Sequence, residues 1–150
     1  MIEKIISGGQ TGADRGGLEA ARTVMIPTGG TAPQGYKTEG GPDPSLRDRY
    51  GLSEHPSDDY RARTEANVLE ADATAIFGDV FSAGSLLTRS LCREFKKPSI
   101  ENPTPEELRR WIEEYNIKVL NIAGNRESKN PGIYKATYDV VLNAITLLMR

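Results

Sequence analysis

The residues best equipped for chemistry fall in short polar segments rich in small residues, each placed directly after an apolar run. The first is Ser7-Gly8-Gly9-Gln10-Thr11-Gly12-Ala13-Asp14-Arg15, which follows Ile2, Ile5 and Ile6 and opens an amphipathic helix. Glycines let a backbone turn tightly and come close to a ligand. The N–H groups at the start of the next helix carry partial positive charge, so the layout is that of a phosphate-binding turn. No Gly-Lys-Ser/Thr ends the loop, so it is not a Walker A motif, and it is not GxGxxG. Its weight comes from the strand–loop–helix context alone. A loop that only turns sharply is the competing reading, but Gln10, Thr11, Asp14 and Arg15 add polar groups that such a turn does not need.

The second segment, Gly78 to Thr88, follows the apolar run 73–77. Ser82, Ala83, Gly84, Ser85 and Thr88 can hold an oxyanion at a helix start, or Ser82 or Ser85 simply caps that helix. The third, Asn121 to Ser128, holds Gly124, Arg126, Glu127 and Ser128 just past a strand. Arginine suits bidentate anion recognition, although an Arg–Glu neighbour pair is often only a solvated ion pair. A fourth element joins them: Arg63 and Asn67, four apart, share one face of a polar helix that forms either a pocket wall or a solvent face.

These segments need a frame. Buried strands are expected at 2–7, 28–32, 73–77, 98–101 and 118–123. They alternate with helices from Leu18 towards Pro27, from a Ser57 cap to Ala71, over 85–97, after the Thr104-Pro105-Glu106-Glu107 capping box, and over 133–148. A long Gly-, Pro- and Asp-rich loop is expected at 33–52. Loops of that length are functional or mobile. The alternation implies a single α/β domain over residues 1–150, with a Rossmann-like three-layer architecture and a mostly parallel sheet flanked by helices. Ligands then gather beyond the carboxyl ends of the strands.

Length and charge set bounds. A chain of 150 residues fits one domain with a real core. A net charge of −2 with intermixed signs argues against nucleic acid as the main partner and leaves room for a small anionic ligand. The single cysteine, Cys92, excludes an intramolecular disulfide framework and a multi-cysteine metal site. Neither Cys92 in mid-helix nor the lone His55 reads as a metal ligand. No secretory leader or membrane-spanning run is evident, so a cytoplasmic location and no membrane partner are expected.

Four blocks in order carry a resemblance over nearly the whole chain: SGGQTGADRGGLEAA from residue 7, YRARTEANV at 60–68, SAGSLLT at 82–88 followed by KKP, and NIAGNRES with PGIY through Tyr134. They resemble the molybdenum carrier family, a branch of the SLOG superfamily related to a circularly permuted YpsA. The resemblance implies a Rossmann-like fold and a pocket for a phosphate-bearing, nucleotide-like ligand. The ligand it implies is the molybdenum cofactor, molybdopterin, a pterin with a terminal phosphate and a dithiolene that holds molybdenum oxide. The pocket would use Gly8 to Arg15, Ser82 to Ser85 with Thr88, and Gly124 with Arg126 to Ser128. The chain departs from the family pattern at Ala83-Gly84-Ser85, where Gly-Gly-Thr is commoner, and at Asn125, where proline is commoner.

The leading expectation is a binding protein for this cofactor or a related phosphate-bearing pterin or nucleotide-like compound, in storage or transport. A homo-oligomer and a molybdoenzyme client are compatible with it. Two alternatives share the pocket: a phosphoribohydrolase acting on nucleoside monophosphates, and a sensor of a nucleotide-derived signal. The related hydrolases carry a PGGxGTxxE block whose glutamate takes part in cleavage, and SAGSLLT supplies no such glutamate.

Overall fold

The computed structural model describes residues 1–150. Its centre is a parallel sheet of β1 (Lys4–Ile6), β2 (Thr28–Gly29), β7 (Ala73–Phe77), β8 (Ser99–Glu101) and β9 (Val119–Gly124), in the order β2-β1-β9-β7-β8. Parallel strands covered on both faces have no polar side, and β7 accordingly buries all of Ala73 to Phe77. Helices α1 (Ala13–Thr23) and α5 (Pro105–Glu114) both pack on α6 (Ile133–Leu148). Their Ala20, Ala21, Leu108, Trp111, Ile112, Val141, Ala144 and Ile145 share one core with strand residues Ile5, Ala75, Leu120 and Ile122. Helices α3 (Tyr60–Glu70) and α4 (Ala83–Glu94) pair through a separate cluster of Val68, Leu91 and Cys92. The three-layer α/β architecture is the one the sequence pattern implies. β1, β7 and β9 all end at the same edge, so the loops after them converge there.

Three local expectations change. The run 28–32 is not one strand. β2 ends at Gly29, the chain turns at Gly30 (φ 118°), and β3 (Thr31–Ala32) leaves the main sheet to pair with β6 (Ser53–Glu54). The stretch 33–52 is not an unstructured loop. It folds into the hairpin β4 (Lys37–Thr38) and β5 (Gly41–Pro42) and the short helix α2 (Ser45–Asp48), while Leu46, Tyr50 and Leu52 bury against Leu18 and Ala32. The cap of α3 is Asp59, whose carboxylate accepts from the Arg61 N–H; Ser57 Oγ sits one step earlier, accepting from the Asp59 N–H. By contrast, the Thr104–Glu107 capping box forms with both of its reciprocal hydrogen bonds.

Candidate functional site

At the carboxyl edge of β1, β9 and β7 lies a small polar pocket, reaching inward between α3 and α4. Gly8 and Asp14 line it from the opening segment, and Arg63 and Asn67 line it from α3. Gly84, Ser85 and Thr88 come from α4, and Gly124 from the end of β9. All of these were candidates from sequence. Tyr60, Thr64 and Asn121, which with Ile122 and Ala123 complete the lining, were not. Tyr60 and Thr64 fall on the face already marked by Arg63 and Asn67, at helical spacing. Asn121 is the one polar side chain inside the apolar run 119–123. Both signals were present in the sequence.

Beside it lies a wider mouth that shares Tyr60, Gly84 and Gly124 with it. Ser82, Ala83 and Arg126 line that mouth together with Asp79, Asn125 and Lys129. Arg126 and Lys129 are exposed cations, and neither has a carboxylate within salt-bridge distance. Asn125 staples two loops, accepting from the Asp79 N–H at 2.5 Å and donating to Ser82 Oγ at 3.2 Å. The residue that departs from the family pattern thus fixes the second loop against the third.

The inner pocket holds an electrostatic imbalance. Arg63 is 5% exposed, its guanidinium lies over the Tyr60 ring at 4.4 Å, and its nearest carboxylate oxygen, Asp14 Oδ2, is 3.9 Å away. Arg63 Nε has no hydrogen-bond partner, nor has Ser85 Oγ, although both atoms are buried. Buried donors without partners are uncommon because each lost bond costs roughly 1–3 kcal/mol, so such an atom in a cavity wall marks a place for a ligand. The Gly8 Cα faces the Arg63 guanidinium so closely that any Cβ would overlap it. Burial pushes the Asp14 carboxyl up to about 6. Arg63, the Gln10 N–H, Arg15 and the Gly8 N–H pull in the opposite direction. Asp14 Oδ2 accepts from the Gln10 N–H at 3.2 Å, and α1 is capped by Gly12, without a side-chain bond.

The rest of the opening segment does not face the pocket. Gly9 packs on Leu46 and Leu52. Gln10 Oε1 accepts from the Thr11 and Glu39 N–H groups, and Thr11 Oγ1 donates to the Glu39 carboxylate. Gly12 (φ 85°) lies against the backbone of Asn125 to Glu127, where a Cβ would overlap the Asn125 carbonyl, and the buried Ala13 donates its N–H to the same carbonyl at 3.1 Å. Arg15 pairs with Asp43 at 2.9 Å. Ser128 holds Glu39 from the other side. Glu127 forms no bond with Arg126. Its carboxylate accepts from the Gly132 and Tyr134 N–H groups at 2.7 and 2.9 Å, at the start of α6. The Asn67 amide, although in the pocket wall, is doubly bonded to the Thr31 backbone.

With this geometry established, the comparisons are consistent. Residues 5–145 match the model of the circularly permutated YpsA SLOG family. The crystal structure of the Putative molybdenum carrier protein from Syntrophus aciditrophicus SB is 41% identical, covers 94% of each chain, and superposes with a TM-score of 0.83. No curated protein matches. The chain belongs to the circularly permutated YpsA SLOG family.

Proposed function

From this membership we propose that the chain is a binding protein for a small phosphate-bearing ligand, the molybdenum cofactor or a related pterin or nucleotide-like compound, held for storage or delivery. The observation that carries the reading is the pair of buried, partnerless donors, Arg63 Nε and Ser85 Oγ, on two residues that line one cavity at the N-terminus of α4. A terminal phosphate would take those donors with help from the helix dipole. The ligand's body would lie in the mouth, along the Tyr60 ring and between Arg126 and Lys129. The donor set suits the anionic end of such a cofactor. No group of three or more His, Cys, Asp or Glu side chains stands ready for a metal ion, so the molybdenum would be carried through the ligand's own dithiolene. A molybdoenzyme client belongs to the same reading.

Native mass spectrometry with metal analysis, on protein purified anaerobically from a host that makes the cofactor, tests it. A co-purifying pterin mass with stoichiometric molybdenum is the expected result. Protein that stays empty, and that binds neither pterin nor nucleoside monophosphate when challenged, overturns the proposal.

One observation favours a second reading, hydrolysis of a nucleoside monophosphate. Asp14 is a carboxyl with a raised proton affinity, inside the pocket rather than capping a helix. That is the kind of group a glycosidic cleavage needs. Release of adenine from adenosine monophosphate, lost in Asp14→Asn, would promote this reading over the carrier.

A further inference from the structure

We propose that Asp14 makes the inner pocket selective for a tetrahedral oxyanion that arrives with a proton, so that one hydrogen is held between the Asp14 carboxyl and the bound anion. This rests on the reading that an anion enters that pocket, and it adds the chemical form the anion takes there. Arg63 and Ser85 offer donors, which any oxyanion accepts. Asp14, 4% exposed, lines the same small space with Oδ2 3.9 Å from the Arg63 guanidinium. An oxyanion resting on Arg63 therefore meets a second anion unless a hydrogen bridges the two. No covalent bond changes; the O–H of the anion donates to Asp14, or a protonated Asp14 donates to the anion.

Hydrogen phosphate supplies that hydrogen at any pH near neutrality. Sulfate has none to give and binds only when Asp14 has taken a proton from solvent. A phosphomonoester dianion is in the same position, so its capture is accompanied by uptake of one proton. The charged groups facing Asp14 are Arg63 from α3 and Arg15 from its own helix, with the Gln10 and Gly8 N–H groups beside them. Thr64, Ser85, Thr88 and Asn121, the other polar side chains in the lining besides Tyr60 and Asn67, are neutral. With the Asp14 carboxyl at about 6, the protonated form that sulfate needs is abundant at pH 5 and scarce at pH 8.

The experiment is calorimetric titration of the full chain with inorganic phosphate and with sulfate at pH 5 and pH 8. Sulfate affinity should fall about tenfold per pH unit above the Asp14 titration, giving a phosphate preference on the order of a hundredfold at pH 8 that shrinks to a few-fold at pH 5. In Asp14→Asn the carboxamide donates at every pH, so the preference at pH 8 should drop to a few-fold. If that variant does not fold, the wild-type comparison at the two pH values decides alone. Equal binding of both anions at pH 8 overturns this inference while leaving the anion pocket standing. Binding of neither anion, with the fold intact, overturns the anion pocket and this inference with it.

Discussion

The opening glycine segment and the α3–α4 wall stand on either side of one cavity and are built on opposite principles. In the segment, most polar groups have a partner within the protein: Gln10 and Thr11 on Glu39, Arg15 on Asp43 through its terminal nitrogen, and the Gly12 backbone on the Asn125–Glu127 backbone, with Arg15 Nε left over. In the wall, Arg63 Nε and Ser85 Oγ have none. The conspicuous sequence motif is mainly a joint that locks three loops into register. The quieter helices α3 and α4 carry the two partnerless atoms whose residues line the pocket. Glycine content and ligand contact are thus separate properties, and unmet hydrogen-bonding capacity is the better guide to a binding site.

That contrast can be broken most forcefully at Gly12. Valine there faces both a left-handed backbone and overlap with the Asn125 carbonyl, so Gly12→Val should lose roughly 3 kcal/mol or more of stability. Thermal melting measures it. A variant that melts like the wild type but fails to bind would return the segment to the role of ligand loop.

Next in size is Arg63→Gln, which removes a charged donor that the fold itself does not hydrogen-bond through Nε. Affinity for inorganic phosphate should fall by roughly 1.5–3 kcal/mol. Titration calorimetry reads the loss, and unchanged affinity would make Arg63 a wall residue stacked on Tyr60 and nothing more.

Glu127→Ala sharpens the comparison from the other side. It strips two N–H groups at the start of α6 of their acceptor, so the expected cost is about 1 kcal/mol in stability with binding unchanged. Chemical denaturation beside a phosphate titration separates the two effects; weaker binding at full stability would place its carboxylate in the site after all. Smallest is Arg126→Ala. An exposed cation at the mouth should contribute under about 1 kcal/mol to binding a nucleoside monophosphate, and that contribution should vanish in high salt. A large, salt-independent loss would move Arg126 into direct contact with the ligand.

The frame was legible because its signals are local. Apolar runs such as 73–77, helical spacing in α4 and α6, and a complete capping box each declare an element from neighbouring residues alone. The stretch 33–52 was opaque because its order is tertiary: Leu46 and Leu52 look stranded among glycines and prolines until Leu18 and Ala32 arrive from elsewhere in the chain. For the site, the four segments were identifiable, but which polar side chain turns inward was not. Glu127 and Arg126 are adjacent in sequence, yet one caps a helix and the other faces the mouth. Which of the two turns back to the start of α6, five and seven residues on, is settled by the path of the loop between them rather than by spacing.

The pair of hydrogen bonds between the Asn67 amide and the Thr31 backbone has a consequence for motion. Thr31 pairs with Ser53 on one side, and on its other side an amide side chain stands where a neighbouring strand would be. Asn67 sits one helical turn from Arg63, so the lateral 31–54 extension is fastened to the turn of α3 that supplies the buried cation. Peeling the extension away and displacing that cation are then a single opening event. The Thr31 amide hydrogen would exchange with solvent at the frequency of that event, and a ligand bound at Arg63 would slow the exchange from the far side of the helix.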